Sequence, residues 1–330
     1  DYSVYYENKS ANEQIDIEIF DAGQGPPVTA DEIVRGGSSL FARQSVCPFM
    51  AFARHRLHLQ KPPITESGLN AADRGSLLHR ALEMIWLSLK DRAGLLALTS
   101  EAQHKLCASA ADFSLNEIEA KKPGLIGPNL RKLEIQRISN LLQAWLDIEK
   151  QRNDFKINAL EARYSFRFAN LELETRIDRI DELADGSLLI IDYKTGKNSE
   201  IKSWWGSRPD EPQLPLYHML LSNNGNANVS GIAFAKVNIE RYQLIGVGDE
   251  SSPEVSIRFN EKIKSASAVE NWHQLKSHWQ KVLTSLAEEF VMGVADVNPK
   301  NPPSTCANCD LSTVCRVNYQ LSSELHDAAG

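Results

Sequence analysis

The stretch that most limits what this chain can become is Leu188 to Gly196, LLIIDYKTG. Four apolar residues, the last two β-branched, run into an acid, an aromatic, a lysine and a turn. That length and make-up predict a buried strand. Asp185-Gly186 turns the chain into it, and Thr195-Gly196 ends it. Side chains alternate along a strand, so Asp192 and Lys194 leave on the same face. A carboxylate and an ammonium at the end of an apolar strand are costly to bury unpaired. Such a pair suits metal or phosphate chemistry, although a bare D-x-K triplet is more often a strand end whose two charges reach water. The surrounding sequence has to decide.

At 330 residues the chain is long enough for one large domain or two ordinary ones, and 42% hydrophobic content supplies a sizeable core. The formal net charge is −7, so there is no bulk basic character, and any nucleic-acid contact has to come from a local patch. No apolar run approaches the roughly 20 residues of a membrane span. The first residues, DYSVYYENKS, have neither the basic start nor the apolar centre of a signal peptide. They also lack an initiator Met, which points to a fragment of a longer protein or a processed chain. Of five cysteines, Cys306, Cys309 and Cys315 crowd together, Cys47 stands far upstream, and Cys107 sits alone in a helical stretch. In a cytoplasmic chain, the expected location, this distribution favours metal binding over disulfides. Cys107 reads as a small buried hydrophobe.

In chain order, residues 1–30 are polar and turn-rich and read as a lead-in or linker, with one domain over 31–330. Ser38-Ser39 reads as the cap of a helix over LFARQSVCPFMAFARHRL, interrupted at Cys47-Pro48, and Pro62-Pro63 ends the unit. Asp73 to Ser76 opens a second helix, with Leu78, Leu82, Ile85, Trp86 and Leu89 as its apolar stripe and His79 beside it. About 91–153 continues helical and reads as an insertion before a sheet core at about 159–250. ALEARYSFRF, LELETRIDRIDEL and SLLIIDYKTG predict consecutive strands. Asp178 and Asp181, three apart, should not share a strand face, so only one should point at Asp192. Lys197, Lys202 and Arg208 surround Trp204 and Trp205, a composition that fits either a single-strand stacking surface or a loop with both Trp packed inward. Gln213 and Tyr217, four apart, share a helix face. Two further strands follow, then a long amphipathic helix and the cysteine group over 271–316.

These pieces together resemble the RecB-like branch of the PD-(D/E)XK nucleases, of the iron–sulfur type that includes AddB-like nuclease domains. The resemblance covers about Ser38 to Cys315. SSLFARQSVCPF resembles the family's entry into its first Cys-Pro-Phe, RGSLLH the helix carrying the motif histidine, TRIDRID the strand of the first metal acid, IIDYKTG the D/E-x-K motif, and QLPLY the Gln-Tyr motif. C-x2-C-x5-C at 306–315 resembles the terminal cluster ligands, with Cys47 as the distant fourth. Ile177 stands where the superfamily's name puts Pro.

The resemblance implies an α/β fold with a restriction-endonuclease-like core: a mixed central sheet flanked by helices, carrying a helical insertion and a cysteine-ligated iron–sulfur staple. It implies a deoxyribonuclease of DNA repair, acting on single strands or duplex ends, as an exonuclease beside a helicase subunit or domain; no Walker A motif is present, so the chain carries no motor of its own. His79, Asp178, Asp192 and the Tyr193 carbonyl would hold Mg²⁺ or Mn²⁺. Asp178, Asp192, Lys194, Gln213 and Tyr217 would be catalytic, with Glu174 or Glu211 as a possible further carboxylate. Cys47, Cys306, Cys309 and Cys315 would hold a [4Fe–4S] cluster, with Zn²⁺ as the alternative. Two other readings compete: a non-catalytic DNA-end-binding or scaffolding module on the same fold, and a zinc-stapled interaction domain in which D-x-K is accidental.

Overall fold

The computed structural model describes residues 23–61, 68–168, 171–196, 201–225, 227–249, 269–307 and 309–317. Most of the proposed lead-in, Pro62-Pro63 and Lys197 lie outside these. Six strands form one mixed sheet: β1 (Val34–Gly36), β2 (Phe155–Phe168), β3 (Leu171–Leu183), β4 (Leu188–Lys194), β5 (Val229–Asn238) and β6 (Arg241–Gly248). The order across it is β2-β3-β4-β5-β6, with β1 lying parallel to the first residues of β3. β2, β3 and β4 meander antiparallel, β4 and β5 are parallel, and β6 closes as an antiparallel edge.

Helices cover both faces. On one, α1 (Ser38–Val46), α7 (Gln213–Gly225) and α8 (Trp272–Val291) pack Phe41, Leu216, Trp279 and Phe290 against Ile190 and Phe234. On the other, α3 (Ala71–Leu89), α5 (Ser100–Lys121) and α6 (Pro128–Glu149) pack Trp86, Leu115 and Trp145 against Ile191 and Tyr193. β4 is therefore apolar on both sides, which is why its run is continuous rather than alternating. The short helices are α2 (Pro48–His55), α4 (Arg92–Leu96), α9 (Ser304–Ala307) and α10 (Ser312–Cys315). No helix among the described residues is long and apolar enough to cross a membrane.

Two helix starts differ from expectation. α3 begins two residues early because Asn70 accepts from the Asp73 amide at 2.8 Å while the Asp73 carboxylate accepts from the Asn70 amide, a capping box with Asp in the Glu position. Ser38 is the first helical residue of α1 and not its cap; Gly37 holds that place without a side-chain bond. Cys47-Pro48 is a true break, with Pro48 at the first position of α2, where its missing N–H costs nothing. Cys107 is fully buried, as its surroundings suggested, and burial pushes its thiol up to about 12.

The sheet holds one irregularity with consequences. Leu160 pairs with Arg179 and Ala162 with Ile177, but the rung between them, Glu161 opposite Asp178, is missing from the ladder. Glu161 has φ +46, a left-handed conformation that a residue with a Cβ rarely adopts. Leu160 and Glu161 consequently both reach the α3 side, Leu160 in its apolar core and Glu161 beside His79. Across the gap, Asp178 and Arg179 do the same: Asp178 meets His79 of α3, and Arg179 meets Glu149 of α6. Strict alternation fails here, so Asp178 and Asp181 do reach the same helical layer, contrary to the spacing argument. They still have different partners, because Asp181 is taken up by Arg179 and Arg152.

Candidate active site

The β3–β4 ladder ends at Arg179 opposite Ile191. One step further, where Asp178 would face Asp192, the strands part. The Tyr193 amide, beyond the last rung to β3, donates to Asp178 Oδ2 at 2.9 Å. The fork exists because β1 and β4 share one edge of β3, β1 pairing with Leu171 to Leu173 and β4 with Arg179 to Glu182. The residues between them are left open, and Asp178 stands there.

α3 brings His79 to this opening. Its Nδ1 is 3.3 Å from Asp178 Oδ2 and its Nε2 is 3.0 Å from the Tyr193 carbonyl. Both neighbours are acceptors, so either ring nitrogen has a partner to donate to, and which one does follows the tautomer. Burial opposes charging the ring, but the hydrogen bond and charge of Asp178 outweigh it and raise the His79 pKa. Ligand atoms of His79, Glu161 and Asp178 lie within 4.8 Å of one another. That spacing lets three side chains reach a single ion, with the Tyr193 carbonyl as a neighbouring oxygen. Glu161 also meets Arg176 at 2.8 Å; burial and the Asp178 charge raise its pKa.

Asp192 and Lys194 leave β4 on one face, as the alternation requires, with Asp192 Oδ2 2.9 Å from Lys194 Nζ. Burial and the adjoining Asp178 push the Asp192 carboxyl up to about 6, against the pull of Lys194. Burial works against the Lys194 charge, but Asp192 outweighs it, so the ammonium stays protonated. Lys194 Nζ donates to Gln213 Oε1 at 3.2 Å, Gln213 Nε2 donates to the Tyr217 hydroxyl at 2.8 Å, and that hydroxyl donates to the Arg176 carbonyl at 3.1 Å. α7 thus aims the lysine and ties it back to β3. A cleft of about 500 Å³ opens beside these groups, bordered by Gly75, Ser76, His79, Arg80, Glu161 and Arg176.

The fold therefore brings together His79, Asp178, Asp192, Tyr193, Lys194, Gln213 and Tyr217. Asp192 adjoins the tight His79–Glu161–Asp178 group without belonging to it. Glu161 was missed by sequence reasoning, which looked instead to Glu174 and Glu211. Glu174 is exposed on β3; Glu211 is half-buried near Lys194 and Lys236. The signal for Glu161 lies in the β2–β3 register, which sets it against Asp178. Trp204 and Trp205 are no stacking surface: Trp204 is 0% exposed with Nε1 donating to the Glu211 carbonyl, and Trp205 is 7% exposed. Arg208 is likewise structural, bonding the Ser45, Val46 and Asn298 carbonyls.

The other site is apart from this one. Cys47, Cys306, Cys309 and Cys315 line one apolar cavity of about 20 Å³ with Phe49, Met50, Leu311 and Val317. No three of their sulfurs lie within 4.8 Å of one another. A tetrahedral zinc site, with Zn–S near 2.3 Å, needs sulfurs about 3.8 Å apart. Burial and the charges of the other three cysteines raise the Cys306 thiol.

The solved structure of SSO0001 aligns over 84% of this chain and 94% of its own, at 14% identity and a TM-score of 0.29. No curated protein matches the chain. The profile of the PD-(D/E)XK nuclease superfamily, whose members are generally hydrolases that use Mg²⁺ or Mn²⁺, matches residues 41–316. That span takes in the forked strands, the histidine helix and the cysteine group, and the chain belongs to the PD-(D/E)XK nuclease superfamily.

Proposed function

We propose that this protein is a divalent-metal-dependent deoxyribonuclease of the iron–sulfur branch, trimming linear DNA from an end. The observation that carries the reading is the meeting of His79, Asp178 and the Tyr193 carbonyl at the β3–β4 fork, beside Asp192 and Lys194. Carboxylates, a carbonyl and one imidazole suit a hard cation, and the nitrogen favours Mn²⁺ slightly over Mg²⁺. When bound there, the ion supplies charge that polarises the phosphate and acidifies a water.

The chain's own groups supply the rest. Asp178, Asp192, His79 and Glu161 fix the site. Lys194, held protonated, offers a positive charge to the phosphorane oxygens and orients the attacking water. The water oxygen bonds to phosphorus as the bond to the departing nucleotide breaks, and the leaving oxygen takes up a proton. Gln213 and Tyr217 keep the ammonium aimed.

At the second site, four cysteines around one apolar cavity supply the ligand type and number that a [4Fe–4S] cluster takes, with one zinc ion as the alternative. Cys47 and Cys306 to Cys315 would hold it, fastening α2 to the C-terminal helices beside the Arg54–Asp310 ion pair. Its role is structural.

The test is cleavage of end-labelled linear and covalently closed circular DNA, single- and double-stranded, with Mg²⁺ or Mn²⁺, beside EDTA and Lys194→Ala controls. Metal-dependent loss of linear DNA only, abolished in Lys194→Ala, supports the proposal. No cleavage by the wild type identifies a non-catalytic DNA-binding module, and cleavage surviving Lys194→Ala removes the site. Iron and sulfide assayed after oxygen-free purification decide the cluster.

A further inference from the structure

The acidic chain needs a local cationic surface if it is to hold DNA, and the outer half of the β2–β3 hairpin provides one. Beyond the break at Glu161, alternation resumes. Tyr164, Phe166 and Phe168 turn to the α1–α7–α8 core, so Arg163, Ser165 and Arg167 turn the opposite way and are exposed. This is the side on which Glu161 meets His79. On β3 the cross-strand partners are Arg176, Glu174 and Glu172, and Arg35 of β1 lies opposite Glu172. The face carries four arginines and two glutamates, and it runs outward from the fork with no helix among the described residues over it.

Two details point to an anionic ligand. Arg163 and Arg176 are directly opposed in the ladder, an arrangement that like charges disfavour. Arg163 and Arg167 also make no ion pair among the described residues, while Arg35 is spoken for by Glu172 at 3.6 Å and Arg176 by Glu161. Arginine is suited to phosphate by its planar fork of donors.

We propose that this arginine face is the track that holds the phosphate backbone of DNA leading to or from the metal site. The proposal rests on the nuclease reading and adds the path of the substrate to it. From Glu161 to Arg167 is six residues of strand, about 20 Å. That spans about six nucleotides at the 3.4 Å axial spacing of a B-form strand.

The test compares wild type with the Arg163→Gln/Arg167→Gln double variant, in which both changes are on exposed positions away from the metal site. Binding of a labelled 20-nucleotide single strand is measured by anisotropy with Ca²⁺, across a salt series. Hydrolysis of a small nitrophenyl phosphodiester with Mn²⁺ is measured in parallel. The expected result is about tenfold weaker DNA binding, with the slope of log K against log salt reduced by about 1.4 for two lost phosphate contacts. Melting temperature and small-diester turnover stay unchanged. Unaltered affinity and slope overturn the track, as does an equal loss on the small diester, which would place the arginines in the chemistry. If the wild type hydrolyses neither DNA nor the small diester, the nuclease reading fails instead, while the binding series still decides the track.

Discussion

Replacing Arg179 by Met tests how the helical layer is joined to the metal strand. Arg179 is wholly buried, with Nε and Nη2 on the two oxygens of Asp181 at 2.6 and 2.9 Å and Nη1 on Glu149 Oε1 at 2.8 Å. Nη1 also lies 3.2 Å from the Tyr193 hydroxyl, and the guanidinium stacks 4.1 Å from the Trp86 ring. The flanking carboxylates raise its pKa well above the ordinary value despite burial, so it is charged at every working pH. Met keeps the apolar stem and removes the charge. Arg152 still pairs with Glu149 at 2.7 Å and Asp181 at 2.8 Å, but one cation then serves two buried carboxylates. Breaking a buried pair from one side costs about 3–5 kcal/mol. At about 2 °C per kcal/mol for a large domain, the melting temperature should fall by roughly 6–10 °C. The assay is thermal unfolding followed by circular dichroism at neutral pH. Adding Asp181→Asn should recover part of the loss, since the remaining cation, Arg152, then serves the single carboxylate of Glu149. A single variant that melts with the wild type would refute the reasoning, as would a double variant no better than the single.

Tyr193→Phe removes the hydroxyl bonded to Arg179 but leaves the backbone carbonyl in place; stability should drop by about 1 kcal/mol in denaturant titration, with cleavage rates within a few-fold of wild type. Lys194→Met should cost about 10²–10³ in the cleavage rate, read from single-turnover assays, with circular dichroism of the same preparation showing that the variant is folded. Excess Mn²⁺ at 100 times its dissociation constant should stabilise the wild type by about 2.7 kcal/mol, and the shift should vanish in Asp178→Asn or when EDTA is added. His218 is packed against Trp272 and Trp279, and burial lowers its pKa to about 3. The unfolded chain therefore takes up this proton first as pH falls below 6.5. Stability from neutral His218 is complete above 6.5 and declines toward pH 3, by up to about 1.4 kcal/mol per pH unit. His218→Leu should flatten that acid slope in melts between pH 7 and 4.

Local patterns carried much of this into the sequence. The apolar run into Asp192 and Lys194 fixes β4 and its face, because strand periodicity is two and survives burial on both sides. The stripe from Leu78 to Leu89 marks the buried side of α3, and Gln213 and Tyr217 meet because four residues make about one helical turn. Asn70 is equally legible, because an Asn with an acid three residues on is the pattern of a capping box. Composition, by contrast, does not report burial, so the Trp204–Trp205 pair among basic residues read as well for a stacking surface as for a core. Glu161 and the shared side of Asp178 and Asp181 depend on a single left-handed residue in a strand, which no alternation rule anticipates. The Glu149–Arg152–Arg179–Asp181 cluster joins the end of α6 to β3 and exists only once the helical layer docks on the sheet.

The proposed cleavage chemistry requires one cation at the β3–β4 fork. Crystals grown with Mn²⁺ and measured for its anomalous scattering should show a strong peak about 2.0–2.3 Å from the Asp178 carboxylate and His79, with the Tyr193 carbonyl and Glu161 or Asp192 completing the contacts. The same peak should be missing from Asp178→Asn crystals. A fork without manganese in wild-type crystals, or a peak unaffected by Asp178→Asn, would contradict the account.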